Sequence, residues 1–173
     1  MTFQGTVWKF GDNVDTDLII PARFLNVSDT YELAKNCFAD LRAGFKDMIR
    51  PGDIIVAGKN FGAGSSREHA PLAIKGAGID VIIAESFARI FYRNAFNIGL
   101  PILESKEASL SIKEGNQASV NLATGEIENK DTGQRFFARP INDFMRQLVQ
   151  AGGLVEYVKK KESMKKIYNE ELT

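Results

Sequence analysis

Asp53-Ile-Ile-Val-Ala57, Asp80-Val-Ile-Ile-Ala84 and Leu100-Pro-Ile-Leu103 are three short, almost wholly apolar runs. Each has the length of a strand buried on both faces. Between them, residues 66–77 and 87–96 read as helices. The first is punctuated by Gly76 and Gly78, which suit a helix end. The second carries Phe87, Ile90, Phe91, Ala95 and Phe96 as an apolar stripe. A β-α-β-α-β order of this kind requires parallel strands joined by helical crossovers.

Outward from this core, residues 3–10 read as a first strand, followed by the polar loop Gly11-Asp-Asn-Val-Asp-Thr-Asp17. Leu18-Ile-Ile20 is a short apolar run stopped by Pro21, and Tyr31 to Leu41 has helical spacing behind the N-cap candidates Asp29 and Thr30. Towards the end, residues 117–122, 125–129 and 134–138 read as short strands with turns at Thr124-Gly125 and Thr132-Gly133. They suggest an antiparallel element packed on the α/β part. Two helices, Asn142–Ala151 and Leu154–Glu170, follow across Gly152-Gly153.

The chain has 173 residues, with 44% hydrophobic and 25% charged, which fits one soluble globular domain over residues 1–173. Lys plus Arg is 22 and Asp plus Glu is 22, so no global basic field favours nucleic acid. No run approaches a membrane span, and the N-terminus lacks the basic start and apolar core of a signal peptide. The expectation is a cytoplasmic protein with no membrane partner. Lys159, Lys160, Lys161, Lys165 and Lys166 interleave with glutamates and read as a solvated helix face. One cysteine, Cys37, and one histidine, His69, exclude an internal disulfide and a metal site built on several thiolates or imidazoles. Cys37 reads as core.

Chemistry concentrates in Gly58-Lys-Asn-Phe-Gly-Ala-Gly-Ser-Ser-Arg-Glu-His-Ala-Pro71, between a strand and a helix. Backbone N–H groups are unpaired at such a junction, and the helix dipole favours anions. Gly62-Ala-Gly64 begins like a dinucleotide fingerprint, but Arg67 stands where the third glycine would fall, and Lys59 is misplaced for a phosphate loop. Pro71 belongs in the first helical turn, which leaves the amides of Ser65, Ser66 and Arg67 free to bind oxygen. Arg67 can grip a carboxylate bidentately. Equally, Ser65 or Ser66 can be no more than an N-cap and Arg67 a surface residue. Spacing alone does not separate the two readings.

Gly11-Asp-Asn-Val-Asp-Thr-Asp-Leu-Ile-Ile-Pro-Ala22, Gly62-Ala-Gly-Ser-Ser-Arg-Glu-His-Ala70, Ser86-Phe-Ala-Arg-Ile-Phe-Tyr-Arg-Asn-Ala95, Asn97-Ile-Gly-Leu-Pro101 and Ala151-Gly-Gly-Leu-Val-Glu-Tyr157 together resemble the swivelling domain of the aconitase family. The resemblance covers nearly the whole chain. It implies a swivelling β/β/α domain with a parallel βαβ core and additional antiparallel strands. It implies that Ser65 is the catalytic base, that Ser66 and Arg67 hold substrate carboxylates, and that Asp17 is an active-site aspartate able to fix an arginine. It also implies a large partner subunit, in a heterodimer or heterotetramer, bearing a 4Fe-4S cluster, with no cofactor and no metal on this chain. A free-standing domain of this length resembles the family's leucine-biosynthesis branch, which interconverts 2- and 3-isopropylmalate through 2-isopropylmaleate.

The loop Phe24-Leu-Asn-Val27 matches the segment that reads the substrate's variable group in that family. Homoaconitase-like members carry an arginine at the position of Asn26. The uncharged Asn26 beside Phe24, Leu25 and Val27 suits a branched-alkyl dicarboxylate. Sister hydro-lyases acting on homoaconitate, 2,3-dimethylmalate or citraconate are the alternatives, and a non-catalytic anion-binding module is the alternative from another class. His69 is expected to make structural hydrogen bonds, and Arg89 and Arg93 to hold their helix against the glycine loop.

Overall fold

The runs at 53–57 and 81–84 are buried on both faces, so they must lie inside a sheet. A computed structural model, which describes residues 1–26 and 29–170, places them there. Strand β1 (Thr2–Lys9) is followed by a single turn, α1 (Thr16–Ile19), and a 3-10 turn at Ala22–Phe24. Helices α2 (Thr30–Lys35) and α3 (Phe45–Met48) lead to β2 (Asp53–Ala57). The core then runs α4 (His69–Ala77), β3 (Ile79–Ala84), α5 (Arg89–Asn97) and β4 (Ile102–Glu104). After α6 (Lys106–Ser111) come β5 (Gln117–Asn121), β6 (Glu126–Asn129) and β7 (Arg135–Phe137), then α7 (Asp143–Ala151) and α8 (Leu154–Glu170).

One seven-stranded sheet results, in the order β4-β3-β2-β1-β5-β6-β7. β1 to β4 are parallel, and β5 to β7 continue antiparallel. The C-terminal strands are therefore not a separate element packed on the α/β part. They extend the same sheet through β1, whose first half pairs with β5 (Thr6 opposite Gln117) and whose second half pairs with β2 (Val7 opposite Ile54). The crowding at that change of partner explains Gly5, where a Cβ would lie 2.1 Å from the Gly52 carbonyl oxygen. Buried Asp53 fastens the same region, accepting from Trp8 Nε1 at 2.8 Å, Arg50 N at 3.0 Å and Thr6 N at 3.2 Å.

Two helices are shorter than their apolar spacing predicts. The run from Tyr31 stops at Lys35, because the Asn36 side chain donates to the Glu32 carbonyl and Phe38 turns to φ 55°. Its N–H then donates to Ile19 O at 2.8 Å, and Cys37 and Phe38 are delivered into the core. Asp29, rather than Thr30, is the cap. The helix read from residue 66 begins at His69, because residues 65–67 are held by other partners, described below. Gly76 does not end it. It lies inside α4, where a Cβ would press within 2.9 Å of Thr30 Cγ2 on α2, and Gly78 at φ 111° forms the actual cap. Among the described residues no helix is long and apolar enough to cross a membrane.

Candidate active site at the ends of the parallel strands

Parallel strands leave their following loops side by side at the C-terminal edge of the sheet, the usual place for a ligand in an open α/β fold. Here the loops after β1, β2 and β3 are laced together. Bridges join Asp15 to Ala63 and Phe61 to Phe87. Gly62 N donates to Val14 O at 2.7 Å, and Thr16 N donates to Ala63 O at 2.8 Å. Beneath the glycine loop lies an aromatic floor, with Phe61 5.4 Å edge-on to Phe91. Gly62, at φ 79°, sits directly on that floor: a Cβ would come 2.2 Å from the Phe91 ring.

The loop carrying Ser65 is clamped from two sides. Ser65 N donates to the hydroxyl of Thr16, a residue only 2% exposed, at 3.2 Å. Asn94, a buried residue of α5, donates its Nδ2 to Ser66 O at 3.1 Å. The Ser65 amide is thus occupied and does not belong to the set of free N–H groups expected from the spacing. The amides of Ser66 and Arg67 have no acceptor among the described residues, and α4 begins without a side-chain cap. Ser65 and Ser66 are exposed, and the Ser65 hydroxyl has no protein partner among the described residues.

Arg67 forms an ion pair with Asp17, bringing the first turn after β1 against the loop after β2. The Asp17 side chain is mostly exposed while that of Arg67 is three-quarters covered, so Asp17 directs the arginine from the solvent side. An exposed hydroxyl, two unpaired amides and a directed guanidinium therefore belong to three consecutive residues. That set can bind a carboxylate and stabilise an oxyanion.

The loop expected to read the substrate's variable group is divided. Asn26 is exposed, whereas Phe24 and Leu25 are half-buried against the core; Val27 lies outside the described residues. Arg23 stacks 4.6 Å above the Phe24 ring and pairs with Asp40, holding the turn down. The His69 ring, at the first position of α4, makes no hydrogen bond among the described residues, so the expected structural bond is absent there. Arg89 and Arg93 are exposed and form no ion pair or hydrogen bond with the glycine loop among those residues; they do not hold α5 to it. Asn94 performs that task. Sequence reasoning missed both Asn94 and Thr16. The available signal was a lone asparagine beside the apolar stripe of α5 and a threonine between two aspartates.

The described residues contain no group of three or more metal-ligating side chains. Cys37 does not fit an iron ligand either. It is buried in the apolar core, and burial pushes its thiol well above the ordinary cysteine range, whereas iron–sulfur ligation needs an accessible thiolate.

The profile of the aconitase C-terminal domain matches residues 4–108, the stretch from β1 through the first half of α6 that supplies all three loops. The chain belongs to that family. Curated members similar to this aconitase C-terminal domain include the 3-isopropylmalate dehydratase small subunit of Thermodesulfovibrio yellowstonii, 54% identical over 96% of this chain and 99% of the relative. The protein of the same name from Caldanaerobacter subterraneus is 58% identical over 91% of this chain and 98% of its own length. Among solved structures, a 3-isopropylmalate dehydratase of Methanocaldococcus jannaschii superposes with a TM-score of 0.89 at 44% identity, covering 97% of this chain and 99% of that one. The mixed sheet described above, parallel and then antiparallel, is thus the architecture of this aconitase-type domain.

Proposed function

We infer that this chain is the small subunit of a 3-isopropylmalate dehydratase, a hydro-lyase of leucine biosynthesis that interconverts 2- and 3-isopropylmalate through 2-isopropylmaleate. The observation that carries the reading is the Asp17–Arg67 pair beside exposed Ser65 and Ser66, on a chain matching curated small subunits over nearly its full length. Residues 1–173 act as one swivelling domain, in the cytoplasm, against a large subunit in a heterodimer or heterotetramer.

Each residue has a distinct task in this reading. Arg67, directed by Asp17, holds a substrate carboxylate through two parallel N–H donors, and Ser66 contributes its hydroxyl. Ser65 Oγ exchanges the proton on the carbon beside that carboxylate: it accepts it on dehydration and returns it on hydration. An unaided serine is too weak a base. The unpaired amides of Ser66 and Arg67 and the uncapped start of α4 lower the cost of negative charge on its oxygen. The Lewis acid for the departing hydroxyl would be a 4Fe-4S cluster held by the large subunit. Asn26, exposed and uncharged, stands at the substrate's alkyl side, which favours isopropylmalate over a tricarboxylate.

The test is to mix this chain with its cluster-bearing large subunit and follow formation of 2-isopropylmaleate from either isopropylmalate isomer. Turnover only in the mixture is expected. Turnover by the isolated chain, or none with the partner on any alkylmalate, overturns the reading.

A further inference from the structure

Five arginines among the described residues are matched by a carboxylate: Arg23, Arg42, Arg67, Arg135 and Arg146. The other four, Arg50, Arg89, Arg93 and Arg139, are not, and of these Arg89 and Arg93 share one helix. They stand one turn apart on α5, both exposed, with their side chains on one face of the helix. Ile90 beside them is 42% exposed, although the apolar spacing of α5 places it on the buried stripe. The three line a cleft of about 720 Å³ whose other wall is Asn60, Gly62 and Gly64, the loop that leads directly into Ser65. The first turn of α5 carries no acidic residue, Ala88 offers no side-chain cap, and among the described residues no carboxylate lines this cleft; Glu104 lies on the other side of Arg89, in the neighbouring one.

We propose that this cleft is a docking surface for an acidic segment of the large subunit, with Arg89 and Arg93 pairing to its carboxylates and Ile90 covered by it. The inference rests on the reading of the chain as the small subunit. Ser65 and Arg67 can act only where they face the partner, so the wall continuous with their loop faces it too. Two guanidiniums one helical turn apart match two carboxylates on neighbouring residues of an extended or helical segment. Burial of Ile90 adds an apolar contact at the centre of the charged rim, the usual anatomy of a protein interface. The carboxylates of the small substrate already have Ser66 and Arg67 as partners.

The experiment measures association of the intact chain with its purified, cluster-loaded large subunit at several salt concentrations. The double variant Arg89→Glu/Arg93→Glu is expected to bind at least ten-fold more weakly, because it opposes like charges across the contact. Arg93→Gln is expected to bind a few-fold more weakly and to lose part of the wild-type salt dependence. An unchanged thermal midpoint of the isolated variants confirms that folding is not the cause. Unchanged association with a raised KM would assign the arginines to the substrate and overturn the proposal. Unchanged association and unchanged KM would overturn it as well. Failure of the small-subunit reading looks different, since the wild-type chain itself would then show no association.

Discussion

Thr16 and Ser65 lie 49 residues apart in sequence, yet the Ser65 amide donates to the Thr16 hydroxyl at 3.2 Å. The side chain proposed to do the chemistry is therefore set by a buried residue that cannot itself reach substrate. Thr16→Val keeps the shape and deletes the acceptor. It should cost about 1 kcal/mol of stability, and roughly ten-fold in kcat with a smaller change in KM, as the serine loses its alignment. Thr16→Ser, which restores a hydroxyl, should recover most of the rate. Steady-state kinetics of the assembled enzyme, with thermal midpoints alongside, measure both.

Ser65→Ala should reduce turnover by about 10²-fold or more while leaving the fold intact, because a positioned proton-transfer group contributes 10²- to 10⁴-fold. Ser66→Ala should be milder and act mainly through KM. A Ser65→Ala enzyme with near wild-type kcat would remove this serine from the role of base.

Asn94→Ala removes the donor that binds Ser66 O. The predicted cost is roughly 1–3 kcal/mol, since a buried polar contact is lost and a small cavity opens. Loosening should concentrate in the 65–68 loop. Limited trypsin digestion at Arg67, under conditions where the rest of the chain stays intact, should be several-fold faster than in wild type.

Asn26→Arg would place a guanidinium where an isopropyl group is expected. An unpaired charge is costly there, whereas an extra carboxylate would satisfy it, so the kcat/KM ratio of homoaconitate to isopropylmalate should rise by roughly ten-fold or more. Thermal stability should hardly move, because Asn26 is exposed. The same large subunit must be used for both variants.

Cys37 should be inert in the native chain. Burial pushes its thiol up, so the reactive thiolate is scarce as well as inaccessible. A disulfide reagent such as dithionitrobenzoate should label the protein only at the rate at which it unfolds. Rapid stoichiometric labelling of the folded chain would contradict the packing of α2 and the turns that follow it.

Much of this architecture is legible in the sequence because local pattern and tertiary role coincide. The runs at 54–57 and 81–84 are apolar on both faces since neighbours cover both. β5 and β6 alternate buried and half-buried, as strands with one covered face do. What escapes is decided by distant partners. The premature end of α2 depends on a carbonyl at Ile19 that draws Phe38 inward, and helical spacing cannot contain that information. The unity of the sheet depends on β1 changing partners near Thr6 and Val7, and no periodicity marks the change. The site divides in the same way. Ser65, Ser66 and Arg67 are contiguous and announce themselves, but Thr16, Asn94 and the placement of Ile90 arise only when three loops meet.

The double membership of β1 also sets a timetable. During synthesis Val7 must wait for Ile54, and Thr6 for Gln117, before the strand has neighbours on both edges. At about ten residues per second, the nascent chain carries this strand with one or both edges open for some ten seconds. Pairings so remote in sequence also make for slow closure once the chain is released. The period of greatest exposure to misassembly therefore falls while the ribosome is still working, and conditions that slow elongation between residues 54 and 117 should lengthen it.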